Sequence, residues 1–307
     1  MKHISKITAI ALLATLSACE GSDMPIQQAD NHGYISFSAQ PQKTATRANP
    51  YEAYDPTRHP ATMGTFGYYD MPKRYASAAN TIFNNETATY NVATYGWDTA
   101  TKKRWTEYTK ASSFDFFAYM PYTGGATLLR TANNTYTLSF PFAMSDGGDP
   151  VPVIYDTKAA PIICAVPSSK GAISDSNGGG TVSLKFDQTL TGYKLLFMLG
   201  TKMNAIRHFR IKSVTLSGSF STSCTISRSY VWNTTSKSWS ASAITWSDIK
   251  RQSFVETPFP IAYKGYGSAD YDDNTQTVIV TSAGFTHLGA DIYTIPEAII
   301  LHVINVK

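Results

Sequence analysis

Residues 34–38 of the chain are Tyr34-Ile35-Ser36-Phe37-Ser38, a run in which apolar and polar side chains alternate. Residues 182–186, Val182-Ser183-Leu184-Lys185-Phe186, repeat the alternation. A period of two indicates β-strands that bury one face. In the first segment that face carries Ile35 and Phe37, and the two segments together predict an all-β fold.

Further strand-like runs follow at short intervals on both sides of these segments, separated by turn signals such as Gly124-Gly125 and Asp146-Gly147-Gly148. A phase slip between Phe209 and Leu216 indicates a β-bulge. Two packed β-sandwiches are the simplest architecture for this pattern, and one large closed sheet or jelly roll is the alternative. The remaining predicted strands are Thr65–Tyr69, Ala88–Thr94, Arg104–Tyr108, Phe114–Tyr119, Tyr136–Phe140, Val151–Tyr155, Tyr193–Leu199, His208–Ser217, Thr225–Trp232, Ser238–Trp246, Ser253–Ile261, Thr277–Thr281 and Ala298–Val306.

The composition fits this fold and argues against nucleic-acid binding. Of the 307 residues 13% are aromatic and only 16% are charged, and aromatic side chains pack well on pleated surfaces. The formal net charge is +4, but the densest basic run, Lys102-Lys103-Arg104, is short. Nucleic-acid binding requires basic residues concentrated on one face, so no nucleic acid is expected as a partner.

The first nineteen residues predict export. Lys2 and Lys6 precede an apolar run, Ile7 to Leu16, which is too short to cross a bilayer. Leu16-Ser17-Ala18-Cys19 resembles the bacterial lipobox, so Cys19 is the candidate lipidation site and the alternative is an ordinary signal peptide. Acyl chains on Cys19 would anchor the protein to a membrane without a spanning helix.

Composition shifts then divide the chain. Residues 1–19 are the predicted lipoprotein signal peptide, and residues 20–60 form a tether, a first strand at 34–38 and a loose, cleavable linker that contains Arg47-Ala48. A Gly/Ser/Asn-rich cluster and the Pro161 to Pro167 segment place a boundary near residue 165. The prediction is an N-terminal sandwich over 61–165 and a C-terminal sandwich over 166–307.

The sequence offers little for catalysis. It contains neither a GxSxG nor an HExxH motif and its six histidines are scattered, so we expect no enzyme, no cofactor and no metal. Residues 270–274 are an oxygen-rich loop, either a calcium site or a solvated turn. Cys164 and Cys224 either form a disulfide or are each a small buried apolar side chain. The five tryptophans suit either a sugar-binding surface or the core.

Several motifs, in this order, resemble the fimbrillin (Mfa-like) family of Bacteroidetes-type fimbrial subunits and adhesins. The motifs are Thr46-Arg47-Ala48, Phe66-Gly67-Tyr68-Tyr69, Trp105 followed by Phe114-Asp115-Phe116-Phe117-Ala118-Tyr119-Met120-Pro121, Val182 to Phe186 with Leu190, Ser213 to Gly218, and Ile295-Pro296-Glu297. The resemblance implies two tandem transthyretin-like β-sandwich domains and delivery to the cell surface as an outer-membrane lipoprotein. It also implies a proteolytic cut after Arg47, before Ala48, that removes the leader strand with Ile35 and Phe37.

Removal of a leader strand would leave an apolar groove and unpaired backbone groups, which a strand from another subunit can fill. The expected function is therefore a structural subunit or tip adhesin of a fimbria (pilus), with other fimbrial subunits as partners. The alternative is a surface lipoprotein that does not polymerise and binds host glycans or proteins. The chain stops soon after Ile295-Pro296-Glu297, so Ala298–Val306 is either a donor strand or the end of an incomplete sandwich.

Overall fold

The computed structural model describes residues 33–41, 60–71, 78–94, 96–146, 148–155, 160–173, 179–193, 195–198, 200–204, 209–211, 213–259, 271–272, 277–280, 282, 286–287 and 292–296. Nearly all regular structure within these ranges is β-strand, which confirms the all-β fold. The helical segments described are α1 (Thr201–Asn204) and two 3₁₀ turns, Ala78–Asn80 and Trp105–Tyr108. No helix in the described ranges is long and apolar enough to cross a membrane.

The strands are numbered in chain order. They are β1 (Ser36–Pro41), β2 (Thr62–Tyr69), β3 (Thr81–Asn91), β4 (Gly96–Thr99), β5 (Ser113–Met120), β6 (Thr127–Ala132), β7 (Thr135–Ala143), β8 (Ser145–Asp146), β9 (Asp149–Pro150), β10 (Ile162–Val166), β11 (Ser168–Gly171), β12 (Val182–Gln188), β13 (Thr191–Tyr193), β14 (Leu196–Phe197), β15 (Phe209–Ile211), β16 (Val214–Asn233), β17 (Ser238–Ala241), β18 (Thr245–Phe259), β19 (Tyr271–Asp272), β20 (Thr277–Val280), β21 (Thr286–His287) and β22 (Ile292–Thr294).

The largest sheet has eight strands in the order β10-β12-β1-β4-β3-β2-β5-β11, and β5 also pairs with β10. Because of that last pairing, the strands β10, β12, β1, β4, β3, β2 and β5 form a closed ring. The neighbouring strands around the ring are antiparallel except at one place: β1 runs parallel to β12. The ring encloses a core of aromatic and aliphatic side chains.

Strand β5 is buried on both faces, because a second sheet packs against the outside of the ring. Phe116 lies inside the ring and contacts Phe37, with ring centroids 5.7 Å apart. Phe117 faces the other way and contacts Tyr230 and Trp239 of the second sheet at 5.3 Å and 5.5 Å. That sheet has five strands, in the order β17-β16-β7-β6 with β18 also paired to β16.

A second hydrophobic cluster lies apart from the main core. Its buried members are Val153, Leu195, Ile211, Val214, Leu216, Phe220, Val278, Val280 and Ile292. Short sheets surround it, namely β13-β22, β14-β21 and β15-β20-β19. The long strand β16 takes part in both clusters, since Val214 and Phe220 belong to the second and Ile226 and Tyr230 to the first.

Five local predictions differ from the structure. Neither Tyr193–Leu199 nor Ser238–Trp246 is a single strand: β14 covers only Leu196–Phe197 of the first, and the second is divided between the end of β17 and the start of β18. The strand expected at Arg104–Tyr108 is wrong: a 3₁₀ turn forms there, because Glu107 accepts a hydrogen bond from the Arg104 amide and Trp105 is buried. The strand expected at Val151–Tyr155 is also wrong, and only Ile154 makes a bridge. Pro152 has no amide hydrogen to offer a neighbouring strand. The slip in 208–217 is a break between β15 and β16, which belong to different sheets.

The ring crosses the boundary predicted near residue 165. Strand β10 spans that point, and β11 and β12 on its far side pair with β5 and β1 on its near side. The division into sandwiches at 61–165 and 166–307 stays a prediction, and strands from both predicted units share this sheet.

Candidate functional site

The candidate site is the position that β1 occupies between β12 and β4, which we call the β1 slot. Five residue pairs, from Phe37 opposite Val182 to Pro41 opposite Phe186, join β1 to β12. On the other side Ser36 lies opposite Asp98 and Phe37 opposite Trp97 on β4. The predicted leader strand is therefore an internal strand of the sheet, with partners on both edges.

The side chains of Ile35 and Phe37 point into the ring, as the alternation predicts. Ile35 is 2% exposed and Phe37 is 0% exposed. The ring of Phe37 makes edge contacts with Phe83 at 5.8 Å and Phe116 at 5.7 Å between centroids. A fully buried phenylalanine in such a setting contributes both apolar burial, about 1.5–3 kcal/mol, and favourable ring geometry.

Polar contacts fix the start of β1. The Arg104 guanidinium lies 4.7 Å from the centre of the Tyr34 ring, and its Nη2 donates to Tyr34 Oη at 2.8 Å. Lys102 Nζ lies 5.7 Å from the same ring. Two backbone hydrogen bonds, from the Ile35 amide to Lys103 O at 2.8 Å and from the Trp105 amide to Gly33 O at 3.0 Å, complete this contact. We call Lys102, Arg104 and their contacts to Tyr34 the cation clamp.

One further polar contact lies on the β12 side of the slot. Ser36 Oγ and Thr181 Oγ1 are 3.3 Å apart, with either atom able to donate. Thr181 immediately precedes β12, so this bond lies beside the parallel ladder. The slot thus has an apolar floor, a polar side and a cationic end.

The ring closure determines what removal of β1 would do. Strands β4, β3, β2, β5, β10 and β12 remain joined in one continuous sheet without β1, because β5 pairs with β10. Neighbouring strands lie about 4.8 Å apart, so a gap of about 10 Å would separate β12 from β4. Both facing edges would carry unpaired backbone groups above an apolar floor.

The other predicted site residues have different outcomes. Cys19, Arg47 and Ala48 lie outside the described residues, so lipidation and processing stay predictions. The sequence does not signal the cation clamp, because Lys102-Lys103-Arg104 has only the features of a short basic run before a predicted strand and Tyr34 only those of a strand residue. The pairing of two segments 70 residues apart creates that contact, and no local pattern signals it.

The disulfide considered for Cys164 and Cys224 is not formed, and both thiols are free and buried. Cys164 lies on β10 with its Sγ 2.9 Å from Tyr230 Oη, and Tyr230 Oη also donates to the Cys164 carbonyl at 2.7 Å. Cys224 lies on β16 opposite Phe142 of β7. The two cysteines therefore have separate structural surroundings, as the buried-side-chain alternative supposed.

The described residues also line a groove of about 900 Å³ that includes Tyr122, Phe142, Lys250 and Cys224. Cys224 is the cysteine among its lining residues. Burial raises the pKa of the Cys224 thiol to about 12, so the thiol is protonated at neutral pH. Because the thiolate is the reactive form, this groove does not suit cysteine-based nucleophilic chemistry.

Asp115 is a buried carboxyl group between the ring and the second sheet. Its Oδ1 accepts hydrogen bonds from Ser169 Oγ at 2.5 Å and from Trp239 Nε1 at 2.8 Å. Desolvation by burial raises the pKa of Asp115, although both hydrogen bonds oppose that rise. The group joins β5, β11 and β17, which is a structural role.

The aromatic and acidic candidates give limited support for ligand binding. Trp97, Trp105 and Trp239 are buried, while Trp232 and Trp246 are partly buried. In the part of the chain that the structure describes, no group of three or more His, Cys, Asp or Glu side chains could hold a metal ion. Most of the 270–274 loop lies outside that part.

Comparison with known proteins gives no family assignment. No family model matches the chain, and no curated protein matches it. A provisionally named cell adhesion protein from Bacteroides uniformis ATCC 8492 is 12% identical over 87% of this chain and 99% of its own, with a TM-score of 0.34. A second such protein, from Bacteroides ovatus ATCC 8483, is 13% identical over 83% and 77%, with a TM-score of 0.38. Likeness at these TM-scores carries no argument, so the functional argument rests on the β1 slot.

Proposed function

We propose that the chain is a structural subunit or tip adhesin of a cell-surface fimbria, and that β1 is a leader strand removed by a cut after Arg47. The observation that supports this proposal is the position of β1. It is an N-terminal strand inside a closed ring, with Phe37 fully buried and with paired neighbours on both edges. A strand of another subunit then takes its place in the β1 slot.

The physical reason is that a vacated slot is unstable in water. Removal of β1 would expose the aromatic side chains that Phe37 covers and leave the facing edges of β12 and β4 unpaired. Exposed strand edges with apolar surface beside them pair readily with another chain. Occupation by a second subunit restores the hydrogen bonds and the burial.

The rest of the proposal follows from the sequence. Acylation of Cys19 attaches the precursor to the outer membrane, and the cut after Arg47 separates the folded part from that anchor. We also propose two transthyretin-like sandwiches; two separate hydrophobic clusters are described, and the first of them draws residues from both sides of residue 165. The protein is assigned no catalytic role.

An arginine-specific protease tests the proposal on the folded, full-length chain. We expect one main cut between Arg47 and Ala48, seen by intact mass and N-terminal sequencing, followed by growth of higher-order oligomers in size-exclusion chromatography. The matched control is Arg47→Gln, which should remain uncut at this site and monomeric. A chain that is cut after Arg47 and stays monomeric at high concentration would argue against polymerisation.

The same experiment separates the alternative function. A non-polymerising surface lipoprotein that binds glycans or host proteins would remain monomeric after the cut. Its sugar-stacking version would depend on Trp232 or Trp246, because the other three tryptophans are buried.

A further inference from the structure

We infer that the groove between the ring and the second sheet, which we call the inter-sheet groove, takes residues 48–59 of this chain as its ligand, and that this docking restricts proteolysis of the linker to Arg47. The inference rests on the proposed function and adds a reason for the position of the cut. The linker contains both Arg47 and Arg58, and an arginine-specific protease recognises either. Residues 42–59 lie outside the described residues, and the groove is formed by described ones.

The inter-sheet groove begins where the linker ends. Its ring side includes Tyr122 and Pro60, the residue that directly follows the segment. Its other side includes Phe142 of β7 and Lys250 of β18. A groove of about 900 Å³ with mainly apolar walls and a few polar groups is typical of ligand sites. Because Pro60 is part of the wall, a segment that ends at His59 is covalently attached to its own candidate site.

The composition of the segment suits walls of this kind. The sequence is Ala48-Asn49-Pro50-Tyr51-Glu52-Ala53-Tyr54-Asp55-Pro56-Thr57-Arg58-His59. Proline favours an extended, polyproline-like backbone, and segments of that type dock in grooves lined by aromatic side chains. Tyr122, which is 37% exposed, and the partly buried Phe142 supply aromatic surface in the groove.

The charges of the groove and of the segment are complementary. The charged residues among those that line the groove are Asp248 and Lys250, and both are exposed. The segment offers Glu52 and Asp55 to the lysine and Arg58 to the aspartate. Exposed ion pairs are weak, so we expect them to align the segment while the apolar walls supply most of the affinity.

A β-bulge in β18 marks the charged end of the groove. The two residues between Ser247 and Lys250 lie opposite the single residue Cys224 of β16. The first of the two, Asp248, has a φ of 52°, which is in the left-handed region. Bulges bend a strand and re-aim its side chains beside binding sites, and strained backbone positions are concentrated at functional sites. The bulge therefore gives the groove end a feature that binding sites share.

Docking would protect Arg58 and leave Arg47 accessible. Arg58 lies two residues before Pro60 of the wall, whereas Arg47 precedes the segment. A short tether gives an effective concentration of about 1 mM, so a segment whose free peptide has a dissociation constant of about 0.1 mM would be docked about ten times more often than not. Cleavage that requires the undocked form is then slowed about tenfold.

The test is limited proteolysis of the full-length chain with an arginine-specific protease, in which intact mass spectrometry follows both cuts. In the wild type the cut after Arg47 should be at least about tenfold faster than the cut after Arg58. Tyr122→Ala and Lys250→Glu should each accelerate the cut after Arg58 by about 3–10-fold and leave the first cut unchanged. Tyr122→Phe keeps the aromatic wall and should match the wild type. The matched control is Lys110→Glu, the same charge reversal at an exposed lysine away from the groove lining.

A charge exchange separates docking from a general loosening of the fold. Lys250→Glu combined with Glu52→Lys and Asp55→Lys should restore slow cleavage after Arg58, because the ion pairs form again with their signs reversed. A loosened fold would not be repaired by changes in the segment. Protection that depends on the concentration of the chain would place the segment in the groove of a second copy and would overturn docking within one molecule.

The results distinguish this inference from the proposed function. If Tyr122→Ala and Lys250→Glu leave the rate of the cut after Arg58 unchanged, the groove does not hold the segment and the inference is wrong. The proposed function then still stands, provided that the chain cut after Arg47 forms oligomers. If that chain stays monomeric, the proposed function fails, while faster cleavage after Arg58 in the groove variants would still support docking.

Discussion

Replacement of Phe37 by alanine tests whether β1 is an integral part of the folded unit. The side chain is 0% exposed and meets Phe83 and Phe116 at 5.8 Å and 5.7 Å between ring centroids. Truncation removes this burial and leaves a cavity in a closed ring that has little freedom to collapse. Such substitutions cost about 3–5 kcal/mol in the free energy of unfolding.

The assay is unfolding in guanidinium chloride followed by tryptophan fluorescence. Trp97 lies opposite Phe37 on β4 and is 1% exposed, and its emission is part of the combined signal of the five tryptophans. With a slope of about 4 kcal/mol per molar denaturant, a loss of about 4 kcal/mol lowers the unfolding midpoint by about 1 M. The control is Ser38→Ala, because Ser38 is partly exposed and on the opposite face of the strand. Its midpoint should correspond to a change within about 0.5 kcal/mol.

One result for Phe37→Ala would contradict this prediction. If Phe37→Ala lowers the free energy of unfolding by no more than the Ser38→Ala control, then β1 contributes no burial to the stability of the ring. In that case the slot would not depend on an occupant, and the physical basis for strand replacement would be lost. An equal slope for both variants and the wild type ensures that the comparison concerns one transition.

Three further predictions concern the buried groups. Burial raises the pKa of Asp115 above 3.8, so the folded protein holds this proton more tightly than the unfolded chain, and the free energy of unfolding falls as pH rises through the folded pKa. Asp115→Asn should therefore reduce the pH dependence of the urea unfolding midpoint between about pH 3.5 and 7. An unchanged pH dependence in the variant would contradict this prediction. Arg228 Nη1 lies 2.5 Å from Asp187 Oδ2, and the two side chains are 11% and 16% exposed. Arg228→Ala should lower the free energy of unfolding in urea by about 3 kcal/mol, because it leaves a buried charge unpaired. Replacement of both partners, Arg228→Met with Asp187→Leu, should recover most of that loss. Burial raises the pKa of Cys164 to about 11 and that of Cys224 to about 12. Both thiols should therefore resist alkylation by iodoacetamide at about pH 8 until the protein is unfolded, as measured by peptide mass spectrometry. A peptide in which Cys164 and Cys224 are linked would show that the thiols are not free.

The buried face of β1 was predictable because it depends only on local alternation. Ile35 and Phe37 share a face in any strand of standard geometry, and the structure buries both. The same logic works for β12, where Val182, Leu184 and Phe186 are buried and the residues between them are exposed. Alternation predicts less about β5, because two sheets bury Phe114 to Met120 on both faces and no alternation remains.

The neighbours of β1 could not be predicted from the sequence. The parallel partner, β12, begins about 145 residues farther along the chain, and side-chain periodicity contains no information about which strands pair. The cation clamp depends on the other neighbour of β1, because Tyr34 meets Arg104 only once β1 lies beside β4. Trp105 also misled the strand prediction: its burial fits a strand, but the Glu107 hydrogen bond to the Arg104 amide closes a 3₁₀ turn.

The position of β1 in the sequence makes its exchange physically reasonable. Strands β2 to β5 are close in sequence, whereas joining β1 to β12 closes a loop of about 145 residues, which costs about 2 kcal/mol more than closing a ten-residue loop. The remaining six strands of the ring stay connected through β5 and β10 without it. The contacts described for β1 therefore need only the strand itself, not its covalent link to β2. That link supplies an effective concentration in the millimolar range, and a cut after Arg47 removes it without breaking a bond within the described residues 33–41. After the cut, the leader and an incoming strand compete on contacts and concentration alone.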